Sequence, residues 1–585
     1  MKNYFLLFAL SLLSISCARV GSPVGGKKDT LAPKFLRSNI DSTRVNVGLN
    51  TKELRLDFDK YIVLKDINKN LTISPPIKKI KRILPSNMAN KFVLIQWEDT
   101  LKANTTYNFN FGNSIADNNE GNVLSYFNFA FSTGKKLDDL YISGEAKDAL
   151  KIKDKRDAKP IVVGLYPAKD SMDYKQKPYY ITKADEDGYF ELNYLSKGKY
   201  YIIAFEDDNG NSIYDMGKEK VGFLKEPIDL EKNISGLKLP VFPAQKNSKL
   251  KEIKNSIGGV LFLFEGNPEK ITIQPISDKL KDYKIIHQSR SDSATVWFDA
   301  HKENIGTESP EGLKFSYQIN DLPKKETTIT YKAQSKDDLT LNSEETNLAP
   351  EEKFVINSNY ELNSINTEKW TLKMDSLTVQ PFTATISPTN PNQILVKSDF
   401  KPGKKYQLIV PKETVNSYYK RNSKSYLWDI TSQGIENFGR VKITVSPLPN
   451  APFWLKLYNG ADEVVYHKKS ETATVDFDIL KPGTYYLKIF IDENKNGVWD
   501  EANFEKRQFA EPAKVYYKPI IVKPLWEMVE TWDLNNNQSL DTSANAILEN
   551  DSSLQNNNKQ EKNKIPTLKS PTKSSDGNNL KLRNP

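Results

Sequence analysis

Apolar and polar residues alternate with a period of two over much of the chain. The pattern is clear at 54–58 (Leu-Arg-Leu-Asp-Phe) and recurs at 107–111 and 127–131. Successive side chains of a β-strand point to opposite faces, so each run is expected to bury one face and leave the other in water. Turn-forming asparagine, aspartate and glycine residues separate such runs. The sequence therefore predicts an all-β fold of tandem β-sandwiches.

Three stretches occur in a fixed order within residues 33–135. They are Leu-Lys-Ala-Asn-Thr-Thr-Tyr at 101–107, a polar turn at 117–122, and Phe-Ala-Phe-Ser-Thr-Gly at 129–134. In order and spacing they resemble the bacterial Ig-like domain found in surface-layer proteins. The resemblance implies an Ig-like β-sandwich over 33–135.

A different module is predicted at 141–232. It has an apolar strand at 161–166, an Asp-Glu-Asp-Gly-Tyr-Phe turn at 185–190 and a Gly-Lys-Tyr-Tyr strand at 198–201. This order is similar to the transthyretin-like, carboxypeptidase-regulatory type of β-sandwich. In that family the module is an accessory without catalytic residues, so the resemblance implies a fold and not a peptidase activity.

The chain also contains an internal repeat. Residues 195–215 align without a gap against 480–500, at a constant offset of 285. The second copy of the transthyretin-like module is expected at 438–533, although it lacks the Asp-Gly-Tyr-Phe turn. Alternation predicts two further Ig-like sandwiches between the copies, at 250–345 and 353–435.

The start of the chain has the features of a secretory signal. Lys2 is followed by a short apolar stretch at 4–15, too short to span a bilayer, and then by Cys17, the single cysteine of the 585 residues. A cysteine at this place resembles the lipobox of bacterial lipoproteins, except that Ser14 stands where a leucine is usual. The resemblance implies a lipoprotein signal peptide at 1–16 and acylation (palmitate) of Cys17. The alternative is an ordinary signal peptide cut near Ala18.

A lipid on Cys17 implies a membrane partner and an outer-membrane location. Residues 17–32 are rich in glycine, proline and lysine and are predicted to form a flexible tether. The residues after Cys17 contain no acidic run of the kind that often accompanies export to the cell surface. A surface-exposed location is favoured over a periplasm-facing one because the modules would form a long stalk, but both remain open.

Composition adds two expectations. The net charge of +9 comes from 83 basic and 74 acidic residues, which indicates a solvated surface and no nucleic-acid partner. Residues 534–585 contain no aromatic side chain and are rich in asparagine, glutamine, serine and lysine. Such a segment buries too little apolar surface to offset the entropy of ordering, so a disordered C-terminal tail is predicted.

The repeat carries candidate ligands for a metal ion. Carboxylate and amide oxygens are spaced as in a calcium loop in both copies, at Asp492, Asn494, Asn496 and Asp500 and at Asp207, Asn209, Asn211 and Asp215. A complete EF-hand also needs a glutamate at its twelfth position, where Asn503 and Lys218 stand. The same residues bond their own backbone in tight turns. We therefore favour the turn interpretation, with calcium as the alternative and no other cofactor expected.

No motif of a known catalytic class occurs. The three histidines lie far apart, and a nucleophile elbow, a phosphate loop and a zinc-protease motif are missing. The chain resembles multi-domain Ig-like lipoproteins of the Gram-negative outer membrane. This resemblance implies a non-catalytic scaffold that docks on an outer-membrane β-barrel complex, such as an export, gliding or barrel-assembly machine. A glycan-binding or adhesive surface lipoprotein is the alternative.

Overall fold

The computed structural model describes residues 28–152, 159–169, 174–333, 338–375 and 378–536. These residues are built almost entirely of strands that pair into separate sheets. The predicted all-β fold of tandem β-sandwiches is confirmed. The predicted disordered tail lies outside the described residues, apart from its first three.

Two compact units make up the chain. The first contains the described residues 28–147, 159–169, 174–215 and 222–240. The second contains 148–152, 216–221 and the described residues from Val241 onward. The first unit holds one sandwich and most of the next, and the second unit holds the remaining three.

The first sandwich has eight strands and one helical turn. These are β1 (Phe35–Ser38), β2 (Glu53–Leu64), α1 (Ile67–Asn70), β3 (Thr72–Ser74), β4 (Ile80–Leu84), β5 (Asn90–Trp97), β6 (Thr106–Asn110), β7 (Ile115–Asp117) and β8 (Asn128–Ser132). One sheet has the order β1-β2-β5-β4, with β7 also on β2, and the other has the order β3-β6-β8. The inward residues of β2, such as Leu54 and Phe58, are buried between the two sheets, as the alternation predicts.

The second sandwich contains the first copy of the repeat. Its strands are β9 (Leu140–Asp148), β10 (Ile161–Pro167), β11 (Tyr180–Lys183), β12 (Tyr189–Leu195), β13 (Gly198–Glu206), β14 (Val221–Phe223), β15 (Ile228–Leu230) and β16 (Ile234–Val241). One sheet has the order β11-β10-β13-β14, with β15 also on β13, and the other has the order β12-β9-β16.

One expectation about the first sandwich is wrong. The alternation at 107–111 predicts a solvated face on that strand, yet Thr106 and Asn108 on this face of β6 are buried like Tyr107 and Phe109. Strand β12 lies against β6 and removes that face from water. Polar residues of a strand are therefore not a reliable sign of solvent where a second sandwich packs on it.

The third sandwich follows Val241 in the chain and belongs to the second unit. Its strands are β17 (Lys249–Ser256), β18 (Gly259–Glu265), β19 (Ile271–Pro275), β20 (Lys284–His287), β21 (Ser293–Trp297), β22 (Glu311–Ile319) and β23 (Lys325–Tyr331). The sheets are β17-β18-β21-β20 and β19-β22-β23. Phe262 and Phe315 meet edge to face between them, with ring centroids 5.3 Å apart.

The fourth sandwich has short strands and two sheets that face each other. Its strands are β24 (Leu341–Asn342), β25 (Asn347–Leu348), β26 (Phe354–Ser358), β27 (Leu362–Ile365), β28 (Thr371–Met374), β29 (Thr378–Val379), β30 (Phe382–Ile386), β31 (Gln393–Ser398), β32 (Lys405–Val410), β33 (Val415–Ser417) and β34 (Tyr426–Ser432). The sheets are β24-β26-β31-β30 and β25-β34-β32-β28-β29, with a separate β27-β33 pair. Two 3₁₀ turns occur at Thr367–Lys369 and Ile435–Asn437.

The fifth sandwich repeats the strand order of the second. Its strands are β35 (Gly439–Ser446), β36 (Phe453–Tyr458), β37 (Val464–Ser470), β38 (Thr474–Leu480), β39 (Gly483–Ile491), β40 (Ala513–Val515), β41 (Ile520–Val522) and β42 (Glu527–Asp533). The sheets are β37-β36-β39-β40, with β41 also on β39, and β38-β35-β42. Strands β13 and β39 occupy equivalent places and begin and end at the same offset of 285 that relates the sequences.

None of the helices in the described part of the chain combines the length and the apolar character needed to cross a bilayer.

Candidate functional site

The second predicted loop joins β39 to β40 and is organised by one buried carboxylate. Asp492 follows directly on β39, and only 1% of its surface is exposed. One of its oxygens accepts the backbone N–H of Asn496 and the other that of Gly497, both at 2.9 Å. Gly497 has a φ of +89°, a conformation that glycine adopts without strain. The carboxylate therefore holds the loop in a tight turn.

The amide side chains of the same loop complete a second layer of bonds. The side-chain oxygen of Asn494 accepts the N–H of Asn496 at 2.9 Å. The amide groups of Asn494 and Asn496 both donate to one oxygen of Asp500, at 2.6 and 2.9 Å. The structure thus brings the four residues that the sequence singles out into one hydrogen-bonded group.

A residue that the sequence analysis missed closes the loop. Glu511, 8% exposed, accepts the N–H of Asn494 at 3.0 Å and that of Asp500 at 2.9 Å. Its backbone carbonyl also accepts the indole N–H of Trp499 at 2.9 Å. Glu511 lies eleven residues beyond Asp500, outside the twelve positions of an EF-hand loop. The one available signal was its place just before a strand.

The first copy has the same design. Asp207 is as deeply buried as Asp492, and its two oxygens accept the N–H groups of Asn211 and Ser212, at 3.1 and 3.0 Å. Asn209 donates to Asp215 at 2.7 Å. Ser212 has a φ of +59° at the position that Gly497 occupies in the second copy. Glu219 is buried two residues before β14, as Glu511 is before β40.

These contacts account for the side-chain pattern without a metal ion. The oxygens that calcium would need already accept backbone and amide N–H groups. Among the described residues, no group of three or more histidine, cysteine or acidic side chains is arranged to hold a metal. Asp492, Asp500 and Glu511 are the acids from which a calcium site would have to be built. The turn interpretation remains the favoured prediction, and calcium binding stays the alternative.

A cleft of about 430 Å³ lies in the second unit. It is lined by Asp282, Tyr283, Lys284, Asp299, Lys302, Tyr418 and Tyr419. The ammonium of Lys284 lies 3.9 Å from the ring centre of Tyr418, and that of Lys302 lies 2.7 Å from Asp282. Burial, reinforced by the charge of Asp282, raises the pKa of Tyr419 to about 12. Aromatic faces, carboxylates and ammonium groups thus share one opening.

The fifth sandwich exposes four apolar side chains within nine consecutive residues, a segment that we call the C-terminal patch. It consists of Ile521, Leu525, Trp526 and Val529, each more than a third exposed. Leu525 has a φ of +58°, a conformation that costs energy for a bulky residue and that the surrounding structure must enforce. The enforcing bonds run from the Leu525 N–H to the Phe438 carbonyl and from the Arg440 N–H to the Trp526 carbonyl, each 2.8 Å long.

The predicted lipidation site, Cys17, and the signal peptide fall outside the described residues, so acylation of Cys17 stays a prediction. Residues 28–32 are described. The Asp29 carboxylate contacts the Lys60 ammonium at 2.5 Å, and the Asp29 carbonyl accepts the side-chain amide of Asn122 at 2.9 Å. The end of the predicted tether therefore lies on the first sandwich.

The first sandwich matches a known protein family. Residues 29–133 match the bacterial Ig-like domain family. The Ig-like domain predicted from the three stretches at 101–134 is thereby confirmed. The transthyretin-like assignment of the second and fifth sandwiches stays a prediction. No curated protein matches the chain.

Solved structures that match the chain include proteins of several kinds. Surface layer protein SbsC (domains 1–6) is 10% identical with a TM-score of 0.14; the match covers 83% of this chain and 66% of that one. SGBP-B of the Bacteroides ovatus mixed-linkage glucan utilization locus is 11% identical with a TM-score of 0.19, covering 63% and 89%. BcpA, the major pilin subunit of Bacillus cereus, is 10% identical with a TM-score of 0.13, covering 67% and 98%. Similarities this low say nothing about what the present chain binds.

Proposed function

We propose that this chain is a non-catalytic scaffold, anchored in the outer membrane through a lipid on Cys17, that docks on an outer-membrane β-barrel complex. The C-terminal patch carries the proposal. Its four apolar side chains lie within nine consecutive residues, and each is more than a third exposed. Exposed apolar residues concentrated in one part of a protein often mark a protein–protein interface.

The sheet that contains Val529 supports docking by strands as well. Strand β42 forms one side of the β38-β35-β42 sheet and, among the described strands, pairs only with β35. An unpaired edge offers backbone N–H and C=O groups to another chain. A barrel is the partner we favour because the predicted anchor places the scaffold in a membrane whose integral proteins are closed barrels.

The non-catalytic part of the proposal rests on the sequence and on the repeated loops. The sequence contains no motif of a known catalytic class. The most deeply buried acids of the loops, Asp207 and Asp492, hold backbone turns. These carboxylates fix the conformation of the loops that join the strands, and a rigid scaffold requires such fixed loops.

The proposal is tested by affinity purification of the full-length chain from detergent-solubilised membranes. We expect a reproducible barrel protein with the unchanged chain and its loss with Trp526→Ser. Val379→Ser is the matched control, because Val379 is exposed to a similar degree on β29 in a different sandwich. If the unchanged chain recovers no barrel protein reproducibly, the proposal is wrong.

A glycan-binding function is the second candidate, and the tyrosine-lined cleft favours it. Aromatic rings and hydroxyl- or carboxylate-bearing side chains meet there in a space large enough for a small ligand. A glycan array with the full-length chain tests this function. Binding that is lost in Tyr283→Ala would support it, and an array without any binding would exclude it for the glycans present.

A further inference from the structure

A second exposed apolar surface lies in the first unit, at one side of the Ig-like sandwich. It is a groove of about 610 Å³ between α1, β3 and β4, and Lys177, Ile181 and Ser212 of the second sandwich also line it. Its apolar lining includes Ile67, Leu71, Ile73, Ile77, Ile80 and Ile83, all of them only partly buried. The groove is continuous with the core of the sandwich, because these side chains pack on buried core residues. The two sheets therefore leave part of the core uncovered here.

The strand order explains the opening. Strand β4 is the last strand of its sheet, and β3 is the last strand of the opposite sheet. The side of β3 is closed, because the hydroxyl of Ser74 accepts the N–H of Ile181 at 2.9 Å. Strand β4 pairs only with β5 among the described strands. The groove is thus bordered by one sheet edge that is free to pair.

The rim of the groove is strongly basic. Six exposed basic residues either line the groove or are next in the sequence to a residue that lines it. Arg82 and Lys177 line it, and the sequence neighbours are Lys69, Lys78, Lys79 and Lys81. None of these six forms an ion pair with an acid of the described residues. The nearby carboxylate of Asp99 instead accepts the backbone N–H groups of Lys78 and Lys79, at 2.6 and 3.0 Å. Edge lysines discourage unselective strand pairing, and they leave a positive field that an acidic partner would neutralise.

We propose that this groove binds an extended segment of a partner protein in which aliphatic and acidic residues alternate, added as a strand to β4. Side chains of an added strand point alternately to its two faces. Aliphatic residues on one face would cover the isoleucines of the groove, and acidic residues on the other would meet the lysines and arginine of the rim. Backbone bonds to β4 would supply affinity, as in other cases of strand addition.

The inference rests on the proposed docking function and gives it a second contact. It concerns the first unit, whereas the C-terminal patch lies in the second. The two are therefore tested by different substitutions. If Trp526→Ser loses the barrel protein but the chain still binds the peptide described below, only the proposed role of the C-terminal patch is affected by that substitution. If a substitution at the groove loses peptide binding but the barrel protein is still recovered, only the proposed role of the groove is affected.

The test uses the full-length chain and three labelled twelve-residue peptides in fluorescence anisotropy. One alternates valine and glutamate, one alternates valine and lysine, and one has the first composition with all valines before all glutamates. We expect the alternating valine–glutamate peptide to bind at least tenfold more tightly than the other two. Equal affinity for the alternating and blocked valine–glutamate peptides would show that peptide charge alone determines binding, and this would overturn the proposal. The absence of binding at millimolar peptide concentration would also overturn it.

Charge reversal at the rim provides the matched comparison. Lys81→Glu combined with Arg82→Glu should weaken the alternating peptide at least tenfold. Lys251→Glu combined with Lys397→Glu makes the same change in net charge on exposed lysines of other sandwiches and should leave binding unchanged. Hydrogen exchange at Ile80–Leu84 should slow when the peptide binds. Equal weakening by both pairs, or unchanged exchange in β4, would contradict strand addition.

Discussion

A carboxyl group is buried where the third and fourth sandwiches meet. Glu361 is 7% exposed, and one of its oxygens lacks a hydrogen-bond partner among the described residues. It follows Tyr360, whose ring lies 5.4 Å from that of Trp297 across the junction. Burial raises the pKa of Glu361 from its ordinary 4.5 to about 7, and this outweighs the opposing effects of the Trp297 indole and the Lys284 ammonium. The junction should therefore respond to pH near neutrality.

The direction and size of the response follow from that pKa. The folded state favours the protonated carboxyl, so the stabilisation is complete below about pH 4.5 and is lost as the pH rises through about 7. The difference between 4.5 and about 7 corresponds to about 3.5 kcal/mol at ~1.4 kcal/mol for each pH unit. Glu361→Gln removes the charge at nearly constant shape. We expect the variant to match the unchanged chain at pH 4 and to be more stable by about 3.5 kcal/mol at pH 8.

Hydrogen exchange read by mass spectrometry measures the change in stability of the fourth sandwich by itself. A local measurement is needed because the sandwiches need not unfold together. Peptides from β26 and β31 report on the fourth sandwich. After correction for intrinsic exchange rates, Glu361→Gln should slow their exchange about three hundredfold at pH 8 and hardly at pH 4. Glu368→Gln, at an exposed residue of the same sandwich, is the control. The same effect at both pH values, or no effect at either, would refute the reasoning.

Three further predictions concern the loops, the junction and the anchor. Asp492→Ala should lower the free energy of unfolding of the fifth sandwich by about 3 kcal/mol, because two hydrogen bonds to a buried carboxylate are lost. The decrease should be the same in EDTA and in calcium, whereas stabilisation of only the unchanged chain by calcium would indicate a calcium site. Gly258→Ala should destabilise the junction by more than about 2 kcal/mol, because a Cβ there would lie 2.1 Å from Tyr360 at a φ of +75°; an unchanged melting temperature would contradict this. Cys17→Ser should abolish metabolic labelling with palmitate and release the protein from membranes, and continued labelling would place the lipid elsewhere.

The fold was largely predictable because it depends on local patterns. Alternation identified the strands, and three stretches between 101 and 134 identified the Ig-like domain that the family match confirms. The repeat at offset 285 carried over into equivalent strands β13 and β39. A period of two and a turn sequence are properties of neighbouring residues, so they can be recognised before any tertiary contact is known.

The sites depended on contacts that local patterns do not contain. Glu511 closes its loop from eleven residues away, and the burial of Thr106 results from β12, more than eighty residues later. The groove beside β4 exists because two sheets end there, which only the strand order reveals. The exposure of Leu525 and Trp526 likewise could not be predicted, since apolar residues near a strand normally indicate core.

The central claim, that this protein is a docking scaffold, is tested most directly by photocrosslinking in cells. A benzophenone amino acid replaces Trp526 in one strain and Val379 in another, and the crosslinked proteins are identified by mass spectrometry. The account predicts one reproducible outer-membrane barrel protein from position 526 and none from position 379. The same background at both positions, or crosslinks from 526 only to proteins outside the membrane, would contradict it.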